Sequence, residues 1–233
     1  MKKLFKMIRQ GNLDEVKAII EKKPEAVNCI AAPPPKKDNG QSPLQVAIKI
    51  GECEIANYLI DMGADINFME AEDDDPGVRA PVLYDAVRST LECLCYGLKN
   101  VEISQKEFAI AEKLLELGAD ANKVASNDLT AWDVAVHQLE TIIECDIYSD
   151  VHDIAKEQAD KIFKLLEKYG FDKNAWLDRH FFDESNRELY VDDFVPKPDK
   201  VQTVVFRGKE EKTVIKGDVD RTAKIREFMK NYF

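Results

Sequence analysis

Long hydrophobic runs are missing from this 233-residue chain: no stretch approaches the roughly 18 to 20 apolar residues of a membrane-spanning helix. The segment Met1–Arg9 scatters lysine and arginine among its apolar positions, unlike the unbroken apolar stretch of a signal peptide. Histidine is scarce, with three in all, which leaves little material for imidazole-based catalysis or metal binding. The five cysteines, Cys29, Cys53, Cys93, Cys95 and Cys145, are odd in number and irregular in spacing, so they are not a disulfide framework. A reducing, cytoplasmic compartment is the expectation. Cys93-Leu94-Cys95 is too tight for paired thiolate ligands and has no second pair downstream, so these cysteines read as small buried hydrophobes.

Positive charge is also in deficit. Lysine and arginine total 33 against 44 acidic residues, a net charge of -11, which argues against nucleic acid or an anionic membrane as partner and favours a basic protein or peptide. No glycine-rich phosphate loop, no Gly-x-Ser-x-Gly elbow and no recognisable Cys/His pair is present. The remaining composition, 45% hydrophobic and 33% charged, is that of an ordinary globular protein.

What the chain does contain is an internal repeat. Gly63-Ala64-Asp65-Ile66-Asn67 recurs as Gly118-Ala119-Asp120-Ala121-Asn122 and, less faithfully, as Gly170-Phe171-Asp172-Lys173-Asn174, each time behind an apolar helical stretch. In the clearest unit, Asn39-Gly40 is a tight-turn pair, Ser42 precedes Pro43 as an N-cap before a first-turn proline, and Leu44, Ala47 and Ile48 share one helical face up to Gly51. A second helix places Ile55, Tyr58, Leu59 and Met62 on one stripe and closes at Gly63.

This pattern resembles the ankyrin repeat, with Ser42-Pro43-Leu44-Gln45-Val46-Ala47 in the place of its Thr-Pro-Leu-His-x-Ala signature. Gln45 stands where the family's histidine braces the loop. The resemblance covers residues 1–174 in about four units: Leu4 to Asn28 as an N-terminal cap, Lys37 to Asn67, a third unit on Pro81-Val82-Leu83-Tyr84-Asp85-Ala86, and a fourth on Thr130-Ala131-Trp132-Asp133-Val134-Ala135. Tyr84 takes the bracing position of the third unit and is expected to be structural. Leu44 to Gly63 spans 19 positions, but Leu83 to Gly118 spans 35 and Trp132 to Gly170 spans 38. Inserts of 16 and 19 residues, near 89–106 and 138–157, therefore lengthen helices in two consecutive units and form a candidate functional ridge.

The resulting expectation is an all-α repeat solenoid of stacked helix pairs with finger loops over residues 1–186, followed by a C-terminal extension over 187–233. Ala31 to Lys37 reads as a stiff extended loop and Glu70 to Gly77 as an acidic lengthening of a finger. The run Glu72-Asp73-Asp74-Asp75 is either solvated loop or a steering patch for a basic partner; a calcium loop lacks its spacing. Trp176, Leu177, Phe181 and Phe182 are expected to cover the last unit, with a linker to Lys200. Val201–Arg207 and Lys212–Lys216 read as a hairpin joined by Gly208 to Glu211, and Asp218 as the cap of a helix to Met229.

In ankyrin proteins the finger tips and exposed sides of the first helices form a concave groove. Carried over, the resemblance implies partner contacts at Asp38, Asn39, Gln41, Lys49 and Ile50; at Gly77, Val78, Ala80, Arg88 and Ser89; and at Ser126, Asn127, Leu129, His137 and Gln138. The function expected is a non-enzymatic protein-binding module without cofactor or metal. A narrower version is an acidic inhibitor or immunity protein neutralising a basic toxin or enzyme. A different class, a metal-dependent enzyme, would use His137, Glu140 and Glu144, which share one helical side at i, i+3 and i+7; a solvated acidic face is the simpler reading of those residues.

Overall fold

A computed structural model describes residues 1–33, 38–71, 77–95 and 99–176, and the backbone of 200–206 and 209–215. The chain divides into two units, Met1–Asp172 and Lys173–Phe233. In the first, eight α-helices among the described residues form four successive pairs: α1 (Lys2–Arg9) with α2 (Leu13–Lys22), α3 (Pro43–Lys49) with α4 (Cys53–Asp61), α5 (Val82–Glu92) with α6 (Val101–Glu116), and α7 (Ala131–Ile143) with α8 (His152–Lys168). The first helices touch in the order α1, α3, α5, α7 and the second helices in the order α2, α4, α6, α8, so the pairs stack as two layers. This is the expected all-α repeat solenoid.

A side-chain cap starts four of these helices, α2 at Asn12, α3 at Ser42, α6 at Asn100 and α7 at Thr130. Ser42 Oγ accepts from the Gln45 amide and Gln45 Oε1 accepts from the Ser42 amide, a closed capping box with Pro43 in the first turn. Thr130 and Asp133 make the same box at the start of α7. Gln45 then reaches into the next unit, its Nε2 donating to Ala80 O at 2.8 Å and to Asp85 Oδ2 at 3.0 Å. The brace assigned to Gln45 is therefore made, and Tyr84, buried at the matching position, is part of the packing.

The core runs along the stack. Leu4, Ile8, Ile20, Leu44, Ile48, Ile55, Leu59, Leu91 and Ile110 are fully buried, each worth about 1.5 to 3 kcal/mol of apolar transfer. In the fourth unit Trp132 replaces the signature leucine. Its ring stacks on Phe171 at 4.8 Å and leans on Phe163 at 4.3 Å, so the larger side chain fills the space between the last helix and its cap turn.

The repeated Gly-Ala-Asp-x-Asn has a mechanical explanation that spacing alone did not reveal. Asn28 Nδ2 donates to Gly63 O at 3.1 Å while its Oδ1 accepts from the Asp65 amide at 2.7 Å. Asn67 does the same to Gly118 O and the Asp120 amide, at 3.4 and 3.0 Å, and Asn122 to Gly170 O and the Asp172 amide, at 2.9 and 2.8 Å. Each unit's asparagine thus satisfies a carbonyl and an amide that the next unit's cap turn leaves open. The turn itself needs glycine: Gly63 sits at φ +84°, with open space where a Cβ would project.

Finger loops extend from the first helices. Within one finger Glu70 N donates to Ala80 O and Val82 N to Phe68 O, and in the next Ala125 N donates to Leu129 O. Adjacent fingers are tied by Ala71 N to Gly40 O, and by the reciprocal pair Ser126 N to Arg79 O and Arg79 N to Ser126 Oγ, each at 2.9 Å.

The inserts lengthen both members of each pair, whereas the expectation stressed the first. Helix α3 has 7 residues against 11 in α5 and 13 in α7. Helix α4 has 9 against 16 in α6 and 17 in α8. The surplus divides because Asn100, in the middle of the first insert, supplies a new N-cap: its Oδ1 accepts from the Ile103 amide. The two inserts meet where Lys99 Nζ bonds both Asp150 oxygens, at 2.7 and 2.9 Å, and Ile147 O at 3.2 Å.

In the second unit, β1 (Lys200–Phe206) pairs antiparallel with β2 (Lys209–Ile215), Val201 opposite Val214 and Phe206 opposite Lys209. Lys209, Glu210 and Glu211 are strand rather than loop, a correction: they pair with Phe206, Val205 and Val204. Pro34 to Lys37, the acidic run Glu72 to Asp75, Leu177 and the rest of the covering segment with the 186/187 boundary, and the helix expected after Asp218 lie outside the described residues.

Candidate functional site

The fifteen groove positions separate by exposure into three groups. Lys49, Ile50, Gly77, Val78, Ser126, Asn127 and His137 are exposed, and Asn39, Arg88, Ser89 and Leu129 are half-buried. Asp38, Gln41, Ala80 and Gln138 are buried, at 7% exposure or less, and are corrected out of a contact surface. Each has a structural reason. Asp38 forms an ion pair with Arg9 of the N-terminal cap, Gln41 donates to Glu70 Oε1 at 3.1 Å, Ala80 O receives the Gln45 brace, and Gln138 lies on the inward stripe of α7 with Leu139 and Ile142.

Several exposed positions are partly occupied by internal contacts. Lys49 Nζ lies 3.2 Å from Glu70 and 3.5 Å from Asp85. Asp85 is 2% exposed, and burial pushes its carboxyl up to about 6 against the pull of Lys49 and the Gln45 hydrogen bond. Arg88 pairs with Glu92 one turn on, at 3.1 Å, in a half-exposed pair of small energetic worth. Ser126 is held by Arg79 as a finger clamp. Ile50 at 42% exposure and Val78 at 48% supply apolar area on this side.

Where the ends of α3 and α5 meet the first insert, the stack opens into a cavity of about 540 Å³. Its lining includes Lys49, Ile50 and Ser89, three of the groove positions, with Ile48, Ile103 and Glu107. The cavity exists because α6 begins far upstream of where a plain second helix would: Ile103 and Glu107 belong to its added turns.

Glu107 is the residue that sequence reading missed. It is fully buried, its Oε2 has no hydrogen-bond partner, and its Oε1 meets the Cys53 thiol at 3.4 Å. Burial pushes its carboxyl up to about 8. The signal was present in helical spacing: Ser104, Glu107, Ala111 and Leu114 form one buried stripe, and a carboxylate on such a stripe is out of place.

The cysteines behave as small hydrophobes. Cys53, Cys93 and Cys95 are buried, and desolvation raises the Cys53 and Cys93 thiols to about 12 and that of Cys95 to about 11, far from reactive thiolates. His137 Nδ1 is 3.9 Å from Glu140, which holds the imidazole above its ordinary range. Among the described residues no three His, Cys, Asp or Glu side chains gather into a metal-binding group, so Glu144 does not complete a ligand set with that pair. Among them, too, no helix is long and apolar enough to cross a membrane.

Residues 2–70 match the family model of ankyrin repeats, in 3 copies. No curated protein matches the chain. Ankyrin repeats are generally protein–protein interaction modules, and the family is typically non-enzymatic.

Proposed function

We propose that this chain, an ankyrin-repeat protein over residues 2–70, binds a basic protein through the groove running from Asn39 past Ile50, Val78, Arg88 and Ser89 to Asn127, Leu129 and His137. The observation that carries the reading is the cavity beside Ile50, which gives this face a built recess among groove residues. Aliphatic Ile50 and Val78 supply area, Arg88 and His137 supply directional contacts, and the net charge of -11 favours a cationic partner over a phosphate backbone or membrane.

The test is capture of a partner from the native cell by the wild-type chain and by the triple variant Ile50→Asp, Arg88→Ala, His137→Ala. All three side chains project from the core, so melting temperature is expected to stay within about 2 °C while affinity falls about tenfold or more. Equal capture by both proteins removes the groove assignment. The narrower reading, an inhibitor of a basic toxin or enzyme, draws support from the same acidic balance. It requires a complex that weakens strongly as salt rises to about 1 M, where the screening length falls to about 3 Å.

A further inference from the structure

We propose that the cavity between the ends of α3 and α5 and the added turns of α6 is a socket for one arginine or lysine side chain of the protein partner, with Glu107 as its counter-charge. The inference rests on the reading above, that the partner is a basic protein.

Four observations meet at this point. The first is an acid with nothing to neutralise it: among the described residues no cation acts on Glu107, which accepts a hydrogen bond from the Cys53 thiol and also faces the Cys93 thiol. The other charged groups nearby are already engaged. Lys49 is held by Glu70 and Asp85, Glu92 by Arg88, and Lys106 by Glu102, while the Cys93 thiol donates to Ser89 O.

The second is cost. A carboxyl on a buried stripe must either stay protonated or bear an uncompensated charge, and a leucine or glutamine there would avoid both. The third is shape. Ile50 and Ile103 line the recess with aliphatic surface suited to the methylene stem of a long cationic side chain, whose head would reach the carboxyl. The fourth is position, since the recess lies beside Ile50 and Ser89 on the groove side.

Occupation has a proton consequence. At neutral pH the resting Glu107 carboxyl is protonated; an entering ammonium or guanidinium favours the carboxylate, and the proton leaves to solvent. Binding therefore strengthens as pH rises through the neutral range.

The experiment uses the full chain with glutamate carboxyls labelled with carbon-13, the Glu107 signal being assigned by its loss in Glu107→Gln. The probes are Nα-acetyl-arginine methylamide and its lysine counterpart, with the norleucine analogue as the uncharged control and agmatine as a free small cation. The expected result is a Glu107 titration midpoint lowered by about one pH unit or more at saturating arginine or lysine probe, equivalent to tenfold linkage. Norleucine should leave it unmoved, and at pH 9, where the free carboxyl is ionised, the cationic probes should bind Glu107→Gln about tenfold more weakly. An unmoved midpoint, or equal affinity for Glu107→Gln, overturns the socket. A response to agmatine but not to the blocked arginine overturns a protein side chain as occupant. If partner capture survives Glu107→Gln but is lost in the triple groove variant, the socket fails while the interaction reading stands.

Discussion

At the scale of single residues, two buried acids set the pH response of the fold. Glu107 titrates at about 8 in the folded chain and Asp85 at about 6, both above their ordinary values of 4.5 and 3.8. A raised folded value means that the native state holds the proton longer than the unfolded chain does. The contribution of these two groups to stability is therefore full below about pH 4 and falls as pH rises, first through the Asp85 window and then through that of Glu107 up to about 8, with a slope of up to about 1.4 kcal/mol per pH unit for each group. Glu107→Gln is expected to raise the urea midpoint above pH 7 and to flatten its decline between pH 5 and 8; urea titrations at a series of pH values check this. A wild-type midpoint that does not move with pH across that range contradicts the assignment. Gly40 is a third sensitive residue. At φ +80°, a Cβ there would stand 2.7 Å from Ala71 O, the partner residue of its own finger-to-finger hydrogen bond. Gly40→Ala combines backbone strain with a clash and is expected to cost about 2 kcal/mol or more, read by thermal melting.

At the scale of elements, the asparagine ladder and the divided inserts differ in how visible they were. The helix start at Ser42-Pro43 was legible because capping is a local transaction among residues within one turn. The ladder was not, because its two partners lie in different units and no short-range rule links them. The same holds for Asp38 and Gln41, which look like finger tips until Arg9 and Glu70 are brought to them. Asn122→Ala removes two inter-unit hydrogen bonds at once and is expected to destabilise by about 1 to 3 kcal/mol, with faster amide exchange concentrated in α8. Asn122→Asp is expected to lose nearly as much, because a carboxylate cannot donate to Gly170 O. The Lys99 to Asp150 bridge between inserts is largely exposed, so Lys99→Ala is expected to cost under about 1 kcal/mol, with its effect confined to exchange in Asp146–Val151.

At the scale of the whole molecule, a net charge of -11 is spread over a stack whose groove-side cations, Lys49 and Arg88, are already matched by carboxylates. The proposed basic partner would therefore meet a field little opposed by these two cations. Its association rate is expected to fall by about tenfold between 50 mM and 500 mM salt while dissociation changes less, as measured by stopped flow. The stack holds its order by contacts that take no notice of chain length. The ladder bonds join residues 35, 51 and 48 positions apart with the same two atoms of asparagine and the same two backbone groups. It counts units, not residues. A segment grafted between two helices of a pair leaves the tally unchanged, so the turn at Cys145, between α7 and α8, is where new sequence, a tag or a second binding loop, is expected to be accepted without any unit losing its place.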